Sequence, residues 1–203
     1  MSRRLTLALL CVATPAFADQ VPNTPTTPPP VAPPDLSDQA IGVEIGAATG
    51  GRVTAGGLRI EGHYLYQLSA RDWFDGTADF TFGGNGAACF RDRSNTFICD
   101  HGLASGDAFE IEAAVRHFFV GEGQFWPFVR GGVGVRFVRF GDDSVTGVAI
   151  PLHLGGGARV SVTPAVAITV QGELELGIGE FNHTLGAEPQ LGIAITAGVE
   201  FRL

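Results

Sequence analysis

From Ile41 to Leu203 apolar and polar residues alternate with a period of two, the pattern of strands whose two faces meet different surroundings. The C-terminal segment is the clearest case. Leu191, Ile193, Ile195, Ala197, Val199, Phe201 and Leu203 form one face; Gln190, Gly192, Ala194, Thr196, Gly198, Glu200 and Arg202 form the other. Leu58, Ile60, Tyr64, Tyr66 and Leu68 oppose Arg59, Glu61, His63, Leu65 and Gln67 in the same way. So do Val166, Ile168, Val170, Leu174, Leu176 and Ile178 against Thr169, Gln171, Glu173 and Glu175. Noisier alternation runs through Ile41–Gly46, Thr77–Phe82, Phe109–Arg116, Val129–Phe137 and Val148–Gly155. The pattern predicts about eight strands, each near the 9–11 residues that a tilted membrane-spanning strand needs. Pro151 falls inside one of them, which predicts a place near the strand end or at a bulge, because proline cannot donate to the ladder.

The connections sort into two kinds. Ser69–Asp75, Gly121–Trp126 and Ser161–Ala165 are tight; Thr49–Gly57, Gly83–Gly106, Phe140–Gly147 and Gly179–Pro189 are looser. Outer-membrane barrels have short periplasmic turns and longer outer loops, and an even strand count leaves both termini in the periplasm.

A soluble lipocalin-type barrel would alternate as well, so what each face carries has to decide. The polar face mixes glycine with Glu44, Glu61, Asp79, Glu110, Glu112, Glu173, Glu175, Glu200, Arg59, Arg116, Arg130, Arg136, Arg159 and Arg202. Nearly balanced signs with small glycines between them predict a narrow lumen plugged by paired charges. Arg136 is expected to meet Glu110 or Glu112, and Arg159 to meet Glu173 or Glu175. His63 and His153 are expected as neutral fillers at mid-height. The apolar face carries almost no charge, as lipid requires, since an arginine or lysine at the bilayer midplane costs about 2–4 kcal/mol. Aromatic residues gather at strand ends: Trp73, Phe74, Phe125 and Trp126 at one end, Phe82, Phe109, Phe140 and Phe181 at the other. They predict two interfacial girdles.

The N-terminus has the order of a secretory signal over residues 1–18. Arg3 and Arg4 precede the apolar run Leu5–Val12, and Ala16-Phe17-Ala18 is a small-x-small cleavage site. Residues 19–40 read as a periplasmic proline-rich tail, carrying Pro22, Pro25, Pro28, Pro29, Pro30, Pro33 and Pro34. Cleavage would remove Cys11 and leave Cys89 and Cys99, an even pair that predicts a disulfide in an exported protein. The chain has no lysine and a net charge of −8, which argues against a nucleic-acid partner.

The stretch Phe125-Trp126-Pro127-Phe128-Val129-Arg130-Gly131-Gly132-Val133-Gly134 resembles the turn and glycine-rich strand of the OmpA-like outer-membrane β-barrel superfamily. Val162-Thr163-Pro164-Ala165-Val166-Ala167 resembles its next periplasmic turn, and Val199-Glu200-Phe201-Arg202-Leu203 its closing strand. The resemblance covers residues 41–203. It implies an all-β fold, an eight-stranded antiparallel up-and-down transmembrane barrel, in the outer membrane. It further implies contact with outer-membrane lipid and recognition of the C-terminal strand by the barrel-assembly machinery.

Signals for catalysis are sparse. His63, His117, His153 and His183 have no serine at a telling spacing. Glu173 and Glu175 lie two apart on one face, a spacing open to a glycosidase carboxylate pair, but read better as lumen ion pairs. Asp142-Asp143-Ser144 supplies too few oxygens for calcium, and no helix follows Gly155-Gly156-Gly157 to make a phosphate loop. The expectation is a monomeric barrel without enzymatic activity, metal or cofactor, with a structural or surface-interaction role. The alternatives are a porin-like or OmpW-like barrel for small molecules and a lipid A-modifying hydrolase.

Overall fold

The computed structural model describes residues 38–50, 53–84, 88–91, 96–100, 106–140, 145–182 and 186–203. The expected signal sequence, the expected proline-rich tail up to residue 37, Asp142-Asp143-Ser144 and His183 lie outside them. The described residues form ten strands: β1 Gln39–Gly50, β2 Gly57–Gln67, β3 Asp72–Gly83, β4 Ala88–Arg91, β5 Phe97–Asp100, β6 Gly106–Phe118, β7 Phe125–Phe140, β8 Val145–Ser161, β9 Val166–Phe181 and β10 Gly186–Arg202. Eight of them close into one barrel in the order β1-β10-β9-β8-β7-β6-β3-β2, and β4 and β5 form a separate two-stranded sheet. The barrel closes where β1 meets β10, from Ala40 opposite Arg202 to Gly50 opposite Gly192. At that seam a Cβ on Gly46 would strike the Ile195 carbonyl and one on Gly198 the Val43 carbonyl, so only glycine permits this approach.

The alternation found along the chain is the alternation of faces. Ile195 is 64 % exposed on the outer surface, whereas Arg59 and Arg116, on the inner face of their strands, are fully buried. This barrel is apolar outside and charged inside.

Strand lengths differ from the expectation in one respect. β8 and β10 have 17 residues each, well beyond what a span requires. Only residues 141–144 separate β7 from β8, and only 182–185 separate β9 from β10, so two of the expected long connections are short. The cause is legible in Phe140, Val145 and Phe181. These apolar residues sit in the inward phase, where a hydrophobic side chain looks like a break in the pattern. At the opposite end β3 already begins at Asp72. The Ser69 hydroxyl accepts the N–H groups of Arg71 (3.2 Å) and Asp72 (3.0 Å) and tightens that turn. The long connection between β3 and β6 holds the β4–β5 hairpin, whose four-residue strands are too short to show a period.

Pro151 lies well inside β8, neither at its end nor at a bulge. The register is the same on both sides of it, with Arg136 opposite Ala149 and Val133 opposite Leu152. Ladder pairing to β7 lapses only beside the proline, while Pro151 stays in register with Gly177 on β9.

Two layers fill the lumen, and its third zone is open. At the long-loop end Val53, Ala55, Ala108, Val138, Phe140, Val145 and Phe181 form an apolar cluster. Charged and polar side chains occupy the middle. At the tight-turn end a cavity of about 290 Å³ opens among Leu65, Trp73, Phe118, Trp126 and neighbouring charged residues.

Candidate functional site: the charged lumen

The middle layer is built from alternate positions of all eight barrel strands. Buried acids are Glu44, Glu61, Asp75, Asp79, Glu110, Glu112, Glu173, Glu175, Glu188 and Glu200; the buried arginines are Arg59, Arg116, Arg130 and Arg136. Such charges persist in a dry interior only when paired, and the geometry is one of shared pairing. Arg136 donates to Glu110 (2.6 Å) and Glu175 (2.5 Å). Arg59 contacts Glu61 and Glu175 and reaches Asp79 at 3.3 Å. Arg130 donates to Glu173 (2.9 Å), Glu112 (2.8 Å) and the Thr77 hydroxyl (3.2 Å). Arg116 donates to Asp75 from Nε (3.1 Å) and Nη2 (2.7 Å), and to Glu200 from Nη1 (2.5 Å). Its guanidinium also lies 4.5 Å over the Phe128 ring.

Several sequence expectations need correction. Arg136 does meet Glu110, across the β6–β7 ladder where the two are opposed. Arg159 does not meet Glu173 or Glu175. It stands opposite Thr169, four and six residues from those acids, and pairs instead with Glu200 at 2.8 Å. Arg202 is not in the network; it is at the barrel mouth, exposed, and paired with Asp38. Neither lumen histidine is a bystander. His63 sets Nδ1 against Asp75 (2.9 Å) and Nε2 against Glu61 (3.2 Å). His153 sets Nε2 against Glu110 (2.6 Å) and Nδ1 against Glu173. The signs do not balance either: the buried acids named above outnumber the buried arginines by more than two to one.

Asp75 is the functional residue that the sequence reading missed. The tight connection expected over Ser69–Asp75 includes it, yet it lies in β3, fully buried beside Arg116, Arg130 and His63. The signal was its odd-number phase with Thr77, Asp79 and Thr81. The aromatic girdles are thinner than expected for the same reason of phase. Trp73 and Trp126 share the inward phase and line the mouth cavity, with Trp73 edge-on to Phe118 at 6.4 Å. Phe140 and Phe181 belong to the apolar cluster. Phe125 and Phe109 are exposed on the outer face, and Phe74 takes the same outward phase.

A closed eight-stranded antiparallel barrel with an apolar exterior and a charged interior is the fold of the small transmembrane β-barrels. The chain shares it with neisserial surface protein A (TM-score 0.52, 13 % identity, 82 % of this chain and 96 % of that one). It shares it also with the N-terminal barrel domain of Pseudomonas aeruginosa OprF (TM-score 0.50, 13 % identity, 81 % of this chain and 97 % of that one). No family model matches the chain, and no curated protein matches it in sequence.

Proposed function

We propose that the chain is an exported outer-membrane barrel with a non-conducting lumen, acting as a structural or surface-presenting element without catalysis. The single observation that carries this reading is the double closure of the lumen. An apolar cluster fills one end and an ion-pair network crosses the middle, as expected of a barrel whose interior only just accommodates side chains. The apolar band supports outer-membrane lipid as its surroundings, and β10 supports recognition by the barrel-assembly machinery. The signal sequence and tail over residues 1–40 belong to the same proposal.

A hydrolytic triad has poor support. Thr77 and Asp75 both face the same nitrogen of His63, at 3.2 and 2.9 Å. A base needs one nitrogen for the nucleophile and the other for the orienting acid. The test is planar-bilayer recording of the pure protein. The expected result is a closed membrane or rare small openings; large steady steps would establish a pore instead.

The β4–β5 hairpin is the natural element to present at the long-loop end. Cys89 and Cys99 are directly opposed in its ladder, which supports a disulfide between them. The short loop it closes would contribute about 2–3 kcal/mol through chain entropy. Both thiols should resist alkylation in protein taken from the envelope under non-reducing conditions; two free thiols would refute the bond.

A further inference from the structure

We propose that Glu44, Glu61 and His63 form a binding site for one divalent metal ion of the zinc type inside the lumen. Glu44 and Glu61 are opposed in the β1–β2 ladder, and His63 follows Glu61 by two residues on the same face. One strand pair therefore delivers all three side chains to one place. His63 Nε2 lies 3.2 Å from Glu61 and 3.8 Å from Glu44, and the three ligand atoms fall within 4.8 Å of one another. Ligand atoms bound tetrahedrally at about 2.0–2.1 Å stand about 3.4 Å apart, so small movements admit the ion.

Each ligand is held from behind. His63 directs its other nitrogen at Asp75 (2.9 Å), the carboxylate–histidine arrangement that orients metal-binding imidazoles. Glu44 accepts the hydroxyls of Thr169 (2.8 Å) and Thr196 (2.6 Å). No arginine pairs with Glu44 among the described residues. Independent of these three, Gln171 points to a fourth position. It is 3 % exposed, its Nε2 already lies 3.2 Å from Glu61, and its Oε1 has no hydrogen-bond partner. Reversing that amide offers the oxygen to the ion. Glu61 is held from its other side, where Oε1 is ion-paired with Arg59 Nε.

Charge favours the same place. The lumen carries the excess of buried carboxylates described above, and a divalent cation offsets part of it. The second cluster of this composition, Glu112, His153 and Glu173, is different: Arg130 bridges both of its carboxylates at 2.8 and 2.9 Å, whereas in the first cluster Arg59 takes Glu61 and leaves Glu44 without an arginine among the described residues. The imidazole selects zinc and its neighbours over calcium and magnesium, which prefer oxygen alone.

The test is titration of the untagged, detergent-folded protein with zinc against a chromophoric chelator, with folding checked by heat-modifiable gel mobility. One zinc per barrel is expected. Glu44→Gln and His63→Gln should each weaken binding at least tenfold, whereas His117→Gln, at the rim and paired with Asp72, should leave it unchanged. X-ray absorption on the unaltered protein needs no variant: one nitrogen and the rest oxygen ligands, without sulfur, are expected. A folded barrel that takes up no zinc, equal affinity after Glu44→Gln, or sulfur at the ion would each overturn the proposal.

Discussion

Arg116→Ala should cost the barrel about 3 kcal/mol, the lower end of what breaking a buried ion pair costs. Arg116 is fully buried and serves two carboxylates from different strands, Asp75 on β3 and Glu200 on β10. Removing it strands both acids only in part. Glu200 keeps Arg159 (2.8 Å), and Asp75 keeps His63 (2.9 Å) and Arg130 (3.6 Å). That remaining company sets the figure at the lower end of the range. The cost also includes the guanidinium over Phe128, which alanine cannot replace. Urea unfolding of the lipid-reconstituted barrel measures it. Arg116→Ala combined with Glu200→Gln should lose less than the sum of the single changes, with a coupling of about 0.5–3 kcal/mol. Strict additivity would mean that the two side chains do not interact.

This pair also shows where sequence reading stops. The period of two placed Arg116 and Glu200 on the inner face, because face is a local property of a strand. Strand order followed too, since short connections make sequential strands neighbours. Partners across the lumen did not follow. Arg116–Glu200 joins β6 to β10, Arg59–Glu175 joins β2 to β9, and Arg130–Glu173 joins β7 to β9; of these only the first two strand pairs are far apart in the barrel order, yet none is adjacent. Such contacts depend on the curvature and tilt of the closed wall, which alternation does not encode. Residues at the rims failed differently. Trp73, Phe140 and Phe181 obey the phase of their strands but put an apolar side chain on the inner face near an end, and Asp75, of the right phase and polarity, lies beyond such an interruption. At such positions the alternation breaks before the strand does.

Ile195→Arg should destabilise the barrel by about 2–4 kcal/mol, while Ile41→Arg should cost about 0–1 kcal/mol. Both residues face outward, at 64 % and 46 % exposure. They differ in height. Ile195 is near the middle of β10, opposite Ala47 on β1 and Gly172 on β9. Ile41 is at the tight-turn end of β1, opposite Phe201. An arginine at mid-height must be desolvated or distort the bilayer, whereas one near the rim can reach the interface along its own stem. Folding yields and urea midpoints in the same lipid vesicles separate the two. Equal costs would mean that the outer band does not span a bilayer at the height inferred.

In an inside-out barrel the apolar face meets lipid, and the methyl groups of β10 report on that directly. Ile193, Ala194, Ile195, Thr196 and Ala197 each carry one or more methyl groups, and none needs to be altered. Nuclear Overhauser spectra of the methyl-labelled protein in lipid nanodiscs should show cross-peaks to acyl-chain protons from Ile193, Ile195 and Ala197. Ala194 and Thr196, both 2 % exposed, should show none. Acyl-chain contacts at Ala194 and Thr196, or water contacts at Ile193 and Ile195, would contradict the assignment of faces and the membrane reading that follows from it.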